Sequence, residues 1–139
     1  MNPNQKYTPP YENGLHLVHL KDDSQIQPFL SFAGYPKLKT SSSYEEIIAA
    51  NKESPLTTPI AIFHTERRPR SEFSTAFGTL KDISVNNKLP IFFITSLPKG
   101  LFSHNRPLFF SVSSIATIHK PVVCVEKHQE APIGSFPLL

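Results

Sequence analysis

The sequence predicts one small α+β or α/β domain, with a mixed sheet of four to six strands and two helices. Two segments combine helical spacing of apolar residues with residues that can cap a helix, and several short apolar runs have the length of strands. The chain of 139 residues also fits a single domain that can bury a core without disulfide staples.

Both ends of the chain are predicted to lie outside this domain. Residues 1–13 are polar, marked by proline and without periodicity, which predicts a disordered N-terminal arm. Residues 128–139 are interpreted as a C-terminal tail. The predicted domain therefore covers residues 14–127.

The first predicted element is a strand over residues 15–20, an apolar run that also contains two histidines. A polar turn over 21–24 follows it. Residues 25–40 fit either a short helix or an irregular apolar segment, because Pro28 and Gly34 oppose a long regular element.

The clearest helix signal begins at Ser43. Its hydroxyl can cap the first turn, and Glu46 stands three residues later, as a capping box requires. Tyr44 and Ile48 share one helical face. The predicted helix ends shortly before Pro55.

The middle of the chain predicts a strand, a basic turn, a second helix and another strand. The first strand covers 59–63, and the basic turn covers 66–70. Ser71 is predicted to cap a helix from residue 72 to about residue 85. The run 89–95 is the strongest strand signal, and its apolar side chains on both sides indicate a strand covered on both faces.

The last third of the chain predicts three more short strands. After a loop over 96–106, apolar runs at 107–112, 115–118 and 121–126 have strand length.

This order of elements resembles a thioredoxin-type fold over residues 36–119. The resemblance places the turn 66–71 at the family's dithiol position and Pro107 at its cis-proline. Arg68 and Ser71 stand where the two cysteines belong, and no closing helix follows the last hairpin. Disulfide exchange is therefore excluded, because that chemistry needs the missing thiolates.

The composition favours an intracellular protein. Cys124 is the single cysteine, so no intramolecular disulfide can form, whereas small secreted domains commonly depend on them. The N-terminus lacks the apolar segment of a secretory signal, and no apolar run approaches the roughly 20 residues of a membrane span. The expected location is the cytoplasm, with the nucleus as an alternative.

The sequence predicts no catalytic residue, no metal site and no cofactor. His16 and His19 are three residues apart, a spacing that puts them on opposite faces of a strand. Zinc would need two further ligands. The five glycines are dispersed, so no loop is suited to cradle a phosphate, and there is no nucleophile elbow.

The basic turn is one candidate binding site, formed by Arg67, Arg68, Arg70 and Ser71. At a helix N-terminus, these arginines and the backbone N–H groups could hold a phosphate or a carboxylate. The net charge of +3 permits a nucleic-acid partner without requiring one. A solvated turn is the alternative interpretation.

The N-terminal arm is a second candidate, through Pro9, Pro10, Tyr11 and Asn13. The two prolines favour the extended polyproline conformation that docking domains recognise. Residues 11–13 also look like the Tyr-x-Asn motif that phosphotyrosine-reading domains bind. A plain flexible tail is the alternative interpretation.

These features favour a small non-enzymatic protein-interaction or accessory module with an unidentified protein partner. The alternative is a phosphate- or nucleic-acid-binding protein that acts through the turn Arg67–Arg70. A second alternative is a recently arisen or overlapping-frame protein. Phe, Pro, Ser and Leu make up 24 of the 51 residues from 89 to 139, as a pyrimidine-rich reading frame would produce.

Overall fold

The computed structural model describes residues 13–98, 111–119, 122–127 and 132–137. A 3₁₀ turn (Asp23–Gln25) leads into the first helix. In chain order the elements are β1 (Gly14–His19), α1 (Ile26–Phe32), β2 (Thr40–Ser41), α2 (Tyr44–Glu53), β3 (Ile60–His64), α3 (Arg70–Asn87), β4 (Pro90–Thr95), β5 (Ser114–His119), β6 (Val122–Lys127) and β7 (Pro132–Pro137).

The described strands form one mixed sheet in the order β2-β3-β4-β1-β5-β6-β7. The first five in this order run parallel, whereas β6 and β7 pair antiparallel. The first strand of the chain is central, because β1 pairs with β4 on one side and with β5 on the other. The predicted fold class, a small α/β domain with a mixed sheet, is confirmed.

Helices cover both faces of the parallel part of the sheet. On one face α1 packs Phe29 against Phe92, and on the other α3 packs Phe77 against Phe93. Both β4 phenylalanines are completely buried. The prediction that residues 89–95 form a strand covered on both faces is therefore confirmed, since neighbouring residues of one strand point to opposite faces.

The two longer helices begin in different ways. At α2 the predicted cap is present, because Ser43 Oγ accepts a hydrogen bond from the Glu46 backbone N–H at 3.3 Å. At α3 the predicted cap is wrong. The helix begins at Arg70 with Pro69 as its N-cap residue, so Ser71 lies inside the first turn and does not cap it.

The structure contains more elements than the predicted four to six strands and two helices. The edge strand β2 has only two residues, both polar, so it leaves no hydrophobic alternation to detect. Strand β7 lies in the segment interpreted as a tail. In α1 the proline that opposed a helix, Pro28, occupies the first turn, where a missing N–H costs nothing.

Helix α1 ends in a Schellman motif. Gly34 adopts a left-handed φ of 97°, and its N–H donates to Ser31 O. The Tyr35 N–H donates to Leu30 O at 2.8 Å, which satisfies a carbonyl at the helix end.

Part of the predicted organisation falls outside the described residues. Pro107 and most of the predicted strand 107–112 lie there, so the thioredoxin-type resemblance stays a prediction. Among the described segments, no helix has both the length and the apolar character that a membrane span requires.

Candidate functional site

The carboxyl ends of the parallel strands carry a row of polar residues on the face covered by α2 and α3. His64 on β3 pairs in register with Thr95 on β4, which in turn pairs with His19 on β1. Thr117 on β5 continues the row. In open α/β sheets this edge is where ligands usually bind. His19, His64 and Thr95 are all buried.

His16 and His19 point to opposite faces of β1, as the sequence predicts. His16 faces the α1 side, where its Nδ1 lies 2.7 Å from Ser114 Oγ and its ring packs on Phe92. His16 is thus a core histidine with a hydroxyl partner.

His64 connects the sheet to the start of α3. Its Nε2–H donates to the Glu66 carbonyl oxygen at 2.5 Å, and its ring packs against Tyr44, Phe73 and Phe93 at centroid distances of 5.4 Å. Burial lowers the pKa of His64 below its usual 6.5, and the Arg68 charge acts in the same direction. Hydrogen bonding to Glu66 O opposes this shift. The imidazole is therefore neutral at pH 7.

The lowered pKa of His64 predicts that acid destabilises the fold. Between the unfolded-state pKa near 6.5 and the lower folded-state pKa, the unfolded chain binds more protons. The free energy of unfolding should therefore fall as pH falls below about 6.5. Urea unfolding at pH 7.5, 6.5 and 5.5 measures this slope. In His64→Gln, which keeps a donor for Glu66 O but does not titrate, the slope should be smaller. An unchanged slope would contradict this assignment.

Arg68 from the basic turn is held by three carboxylates. Its Nη2 lies 2.8 Å from Glu45 Oε1 and 3.1 Å from Glu66 Oε2, and its Nη1 lies 2.9 Å from Glu72 Oε1. The guanidinium also donates to Tyr44 Oη at 3.0 Å and lies over the Tyr44 ring. The Arg68 side chain is 18% exposed. These hydrogen bonds raise the pKa of Arg68.

The four predicted binding residues of the turn therefore have different surroundings. Arg67, Arg70 and Ser71 are exposed, whereas Arg68 is engaged from three sides. A phosphate at Arg68 would have to displace carboxylates that already hold it. The turn is thus not a cluster of three equivalent arginines, because the Arg68 guanidinium already binds carboxylates.

A groove lies beside this ion-pair cluster, between α2 and the first half of α3. It has a volume of about 440 Å³ and is open to solvent. Ile48 and Ala76 supply apolar surface, and Glu45 and Glu72 lie at the end of the groove near the helix N-termini. The lining residues are Tyr44, Glu45, Ile48, Pro69, Ser71, Glu72, Thr75, Ala76 and Thr79.

Sequence reasoning missed most of this groove. Of its lining residues only Ser71 was a predicted site residue, and the groove forms because α2 and α3 lie side by side. One signal was available: both helices have a glutamate in the first turn, Glu45 and Glu72, so carboxylates would gather wherever the two N-termini meet.

The predicted interaction arm lies almost entirely outside the described residues. Pro9, Pro10 and Tyr11 are not described, and Asn13 is exposed immediately before β1.

Neither the comparison with protein-family models nor that with curated protein sequences finds a match for this chain. Within the described residues, no group of three or more His, Cys, Asp or Glu side chains is placed to hold a metal ion.

Proposed function

We propose that this protein is an interaction module that binds a segment of a partner protein in the groove between α2 and α3. The observation that carries the proposal is the groove itself. It is open to solvent, has an apolar floor, and is bordered by exposed charged side chains. Apolar surface with a polar rim is typical of protein contact sites.

The rigidity of its walls supports the groove as a preformed site. Arg68 bonds to Glu45 on α2 and to Glu72 on α3, and so ties the N-terminal ends of the two helices together. At the opposite ends, Asn87 Nδ2 donates to Asn51 Oδ1 at 2.8 Å. Helices joined at both of their ends need little ordering when a partner binds between them, which reduces the cost of association.

The size of the groove predicts a weak, transient complex. A contact of this size buries far less than the roughly 1,200 Å² of a stable protein–protein interface. Micromolar or weaker affinity is the expected range.

Phosphate or nucleic-acid binding at the turn Arg67–Arg70 is the alternative proposal. Arg67 and Arg70 are exposed, but Arg68 is already bound to carboxylates, and Glu66 and Glu72 add negative charge beside the turn. A nucleic-acid phosphate at this turn would be attracted by the arginines and repelled by the glutamates.

A displayed library of random 12-residue peptides tests the interaction proposal without assuming a partner. We expect selected peptides to bind the wild-type protein and to lose binding in Thr75→Trp, which places a large ring in the groove from an exposed position. The matched control is Val85→Trp. Val85 is 53% exposed on the same helix but does not line the groove, so this variant should bind normally.

Two results would contradict the proposal. One is a library selection that enriches no binder. The other is a set of binders that lose affinity in Val85→Trp and not in Thr75→Trp, which would move the contact to the other end of α3.

A further inference from the structure

We infer that Asn13 is a site of spontaneous deamidation, and that the reaction takes place in molecules in which the first residue pair of β1 has opened. The product is an aspartyl or isoaspartyl residue directly before the central strand of the sheet. Water is the only co-reactant, and no enzyme is needed. This modification is independent of the groove between α2 and α3.

The sequence at the start of β1 favours the reaction. Gly14 follows Asn13, and no other asparagine of the chain precedes a glycine. Glycine has no side chain that would shield its backbone nitrogen or restrict the approach of the asparagine side chain. The Gly14 nitrogen loses its proton and bonds to Asn13 Cγ, and the Asn13 side-chain nitrogen leaves as ammonia. Water then opens the resulting succinimide ring at either of its two carbonyl groups.

The surroundings of the described asparagines distinguish Asn13 from the others. Asn13 is exposed, and its side-chain amide makes no hydrogen bond with any other described residue. By contrast, Asn87 Nδ2 donates to Asn51 Oδ1 at 2.8 Å and to Leu56 O at 3.0 Å, so both amides are held. Asn86 is exposed as well, but it lies within α3, where the next backbone N–H belongs to the helix.

The attacking nitrogen is protected as long as β1 is fully paired. Gly14 faces Pro90 in the first residue pair between β1 and β4. Each pair of a parallel ladder is held through the N–H and C=O of one of its two residues. Pro90 has no N–H, so Gly14 must supply both groups, and its N–H is already used. This pair lies at the end of the strand, where opening costs the least free energy. The reaction therefore proceeds during such opening.

The test is an incubation of the full-length protein for several weeks near neutral pH, in native buffer and in guanidinium chloride that unfolds it. Trypsin then releases the peptide 7–21, in which Asn13 is the only asparagine. Deamidation raises the mass of this peptide by one dalton, and chromatography separates its aspartyl and isoaspartyl forms. We expect the modified fraction to grow in the folded protein, about tenfold or more slowly than in the unfolded chain.

Two controls assign the signal to position 13. Asn13→Gln should leave the peptide unmodified, because its ring would have six members and forms far more slowly. In the same folded sample, the tryptic peptide 82–88, which contains the exposed Asn86, should also stay unmodified. Modification of both peptides at equal rates would show that exposure alone decides the reaction, and would overturn the role of Gly14.

A destabilised variant distinguishes local opening from global unfolding. Phe73 is buried beside His64, which pairs with β4 at the opposite end of that strand from Gly14. Phe73→Ala should therefore lower the free energy of unfolding and leave the deamidation rate of the folded protein nearly unchanged. A rate that rises in proportion to the lost stability would overturn the local route.

Two further outcomes would contradict the inference. Equal rates in the folded and the unfolded protein would show that pairing with Pro90 does not protect the Gly14 nitrogen. A folded protein that stays unmodified at Asn13, while the unfolded chain reacts, would show that the first pair of β1 does not open and that Asn13 is no modification site in the native state.

Discussion

Phe93→Ala is expected to lower the free energy of unfolding by about 3–5 kcal/mol, the usual cost of removing a fully buried phenylalanine side chain. Phe93 is completely buried on β4, with the Phe77 ring 4.6 Å away and the His64 ring 5.4 Å away, between centroids. Tyr44 and Phe73 complete the aromatic group around it. Alanine would leave a cavity at the centre of the packing between α2, α3 and the sheet. Urea unfolding followed by circular dichroism measures the loss.

A matched variant shows whether the cost comes from the cavity at Phe93 or from the loss of any phenylalanine in the sheet. Phe63 lies on the neighbouring strand β3 but is only partly buried, so Phe63→Ala should cost clearly less. If Phe93→Ala does not fold, Phe93→Leu keeps most of the volume and should cost no more than about 1.5 kcal/mol. Equal losses for Phe93→Ala and Phe63→Ala would contradict the central position of Phe93.

Gly14→Ala is expected to lower the free energy of unfolding by about 1–3 kcal/mol. Gly14 begins β1 with a φ of 153°, a conformation that residues with a side chain rarely adopt. A Cβ atom there would overlap Oγ of Ser113 and lie 3.0 Å from its Cβ. Ser113 Oγ can rotate away, but its Cβ cannot, because the Ser113 backbone N–H donates to Leu15 O at 2.8 Å.

A second substitution divides this cost into two parts. Ser113 is exposed, so Ser113→Gly removes the clash without opening the core. The double variant Gly14→Ala/Ser113→Gly should regain the part of stability lost to overlap and keep the part lost to backbone strain. Unfolding curves for the four proteins of this double-mutant cycle measure the coupling. Additive effects of the two changes would show that Ser113 does not restrict position 14.

The sequence predicted the individual helices and strands better than it predicted which strands lie side by side in the sheet. The cap at Ser43 and the two apolar faces of β4 depend on residues close together in the chain, so pattern reasoning found them. The pairing of Leu15 with Ile91 joins distant positions, and the apolar pattern of β1 says which side chains are buried but not which strands lie beside them. The two-residue strand β2 is defined only by its pairing with β3.

The candidate site was harder to predict for the same reason. In the sequence, Arg68 stands beside Arg67 and Arg70 and suggests a cationic patch. In the fold, α2 brings Glu45 to Arg68, and the local residues Glu66 and Glu72 turn towards it as well. The two local glutamates could have been read from the sequence as partners of Arg68, whereas the contact with Glu45 is tertiary and no local pattern reports it.

The central position of β1 has a consequence for how the chain folds during synthesis. This strand leaves the ribosome well before its two partners, β4 and β5. Until residues 90–95 have emerged, β1 has no neighbouring strand with which to pair. Its other edge stays unpaired until β5 has been made. Such high contact order slows folding. Newly made N-terminal segments of this protein should therefore need protection by chaperones for most of the time that translation takes.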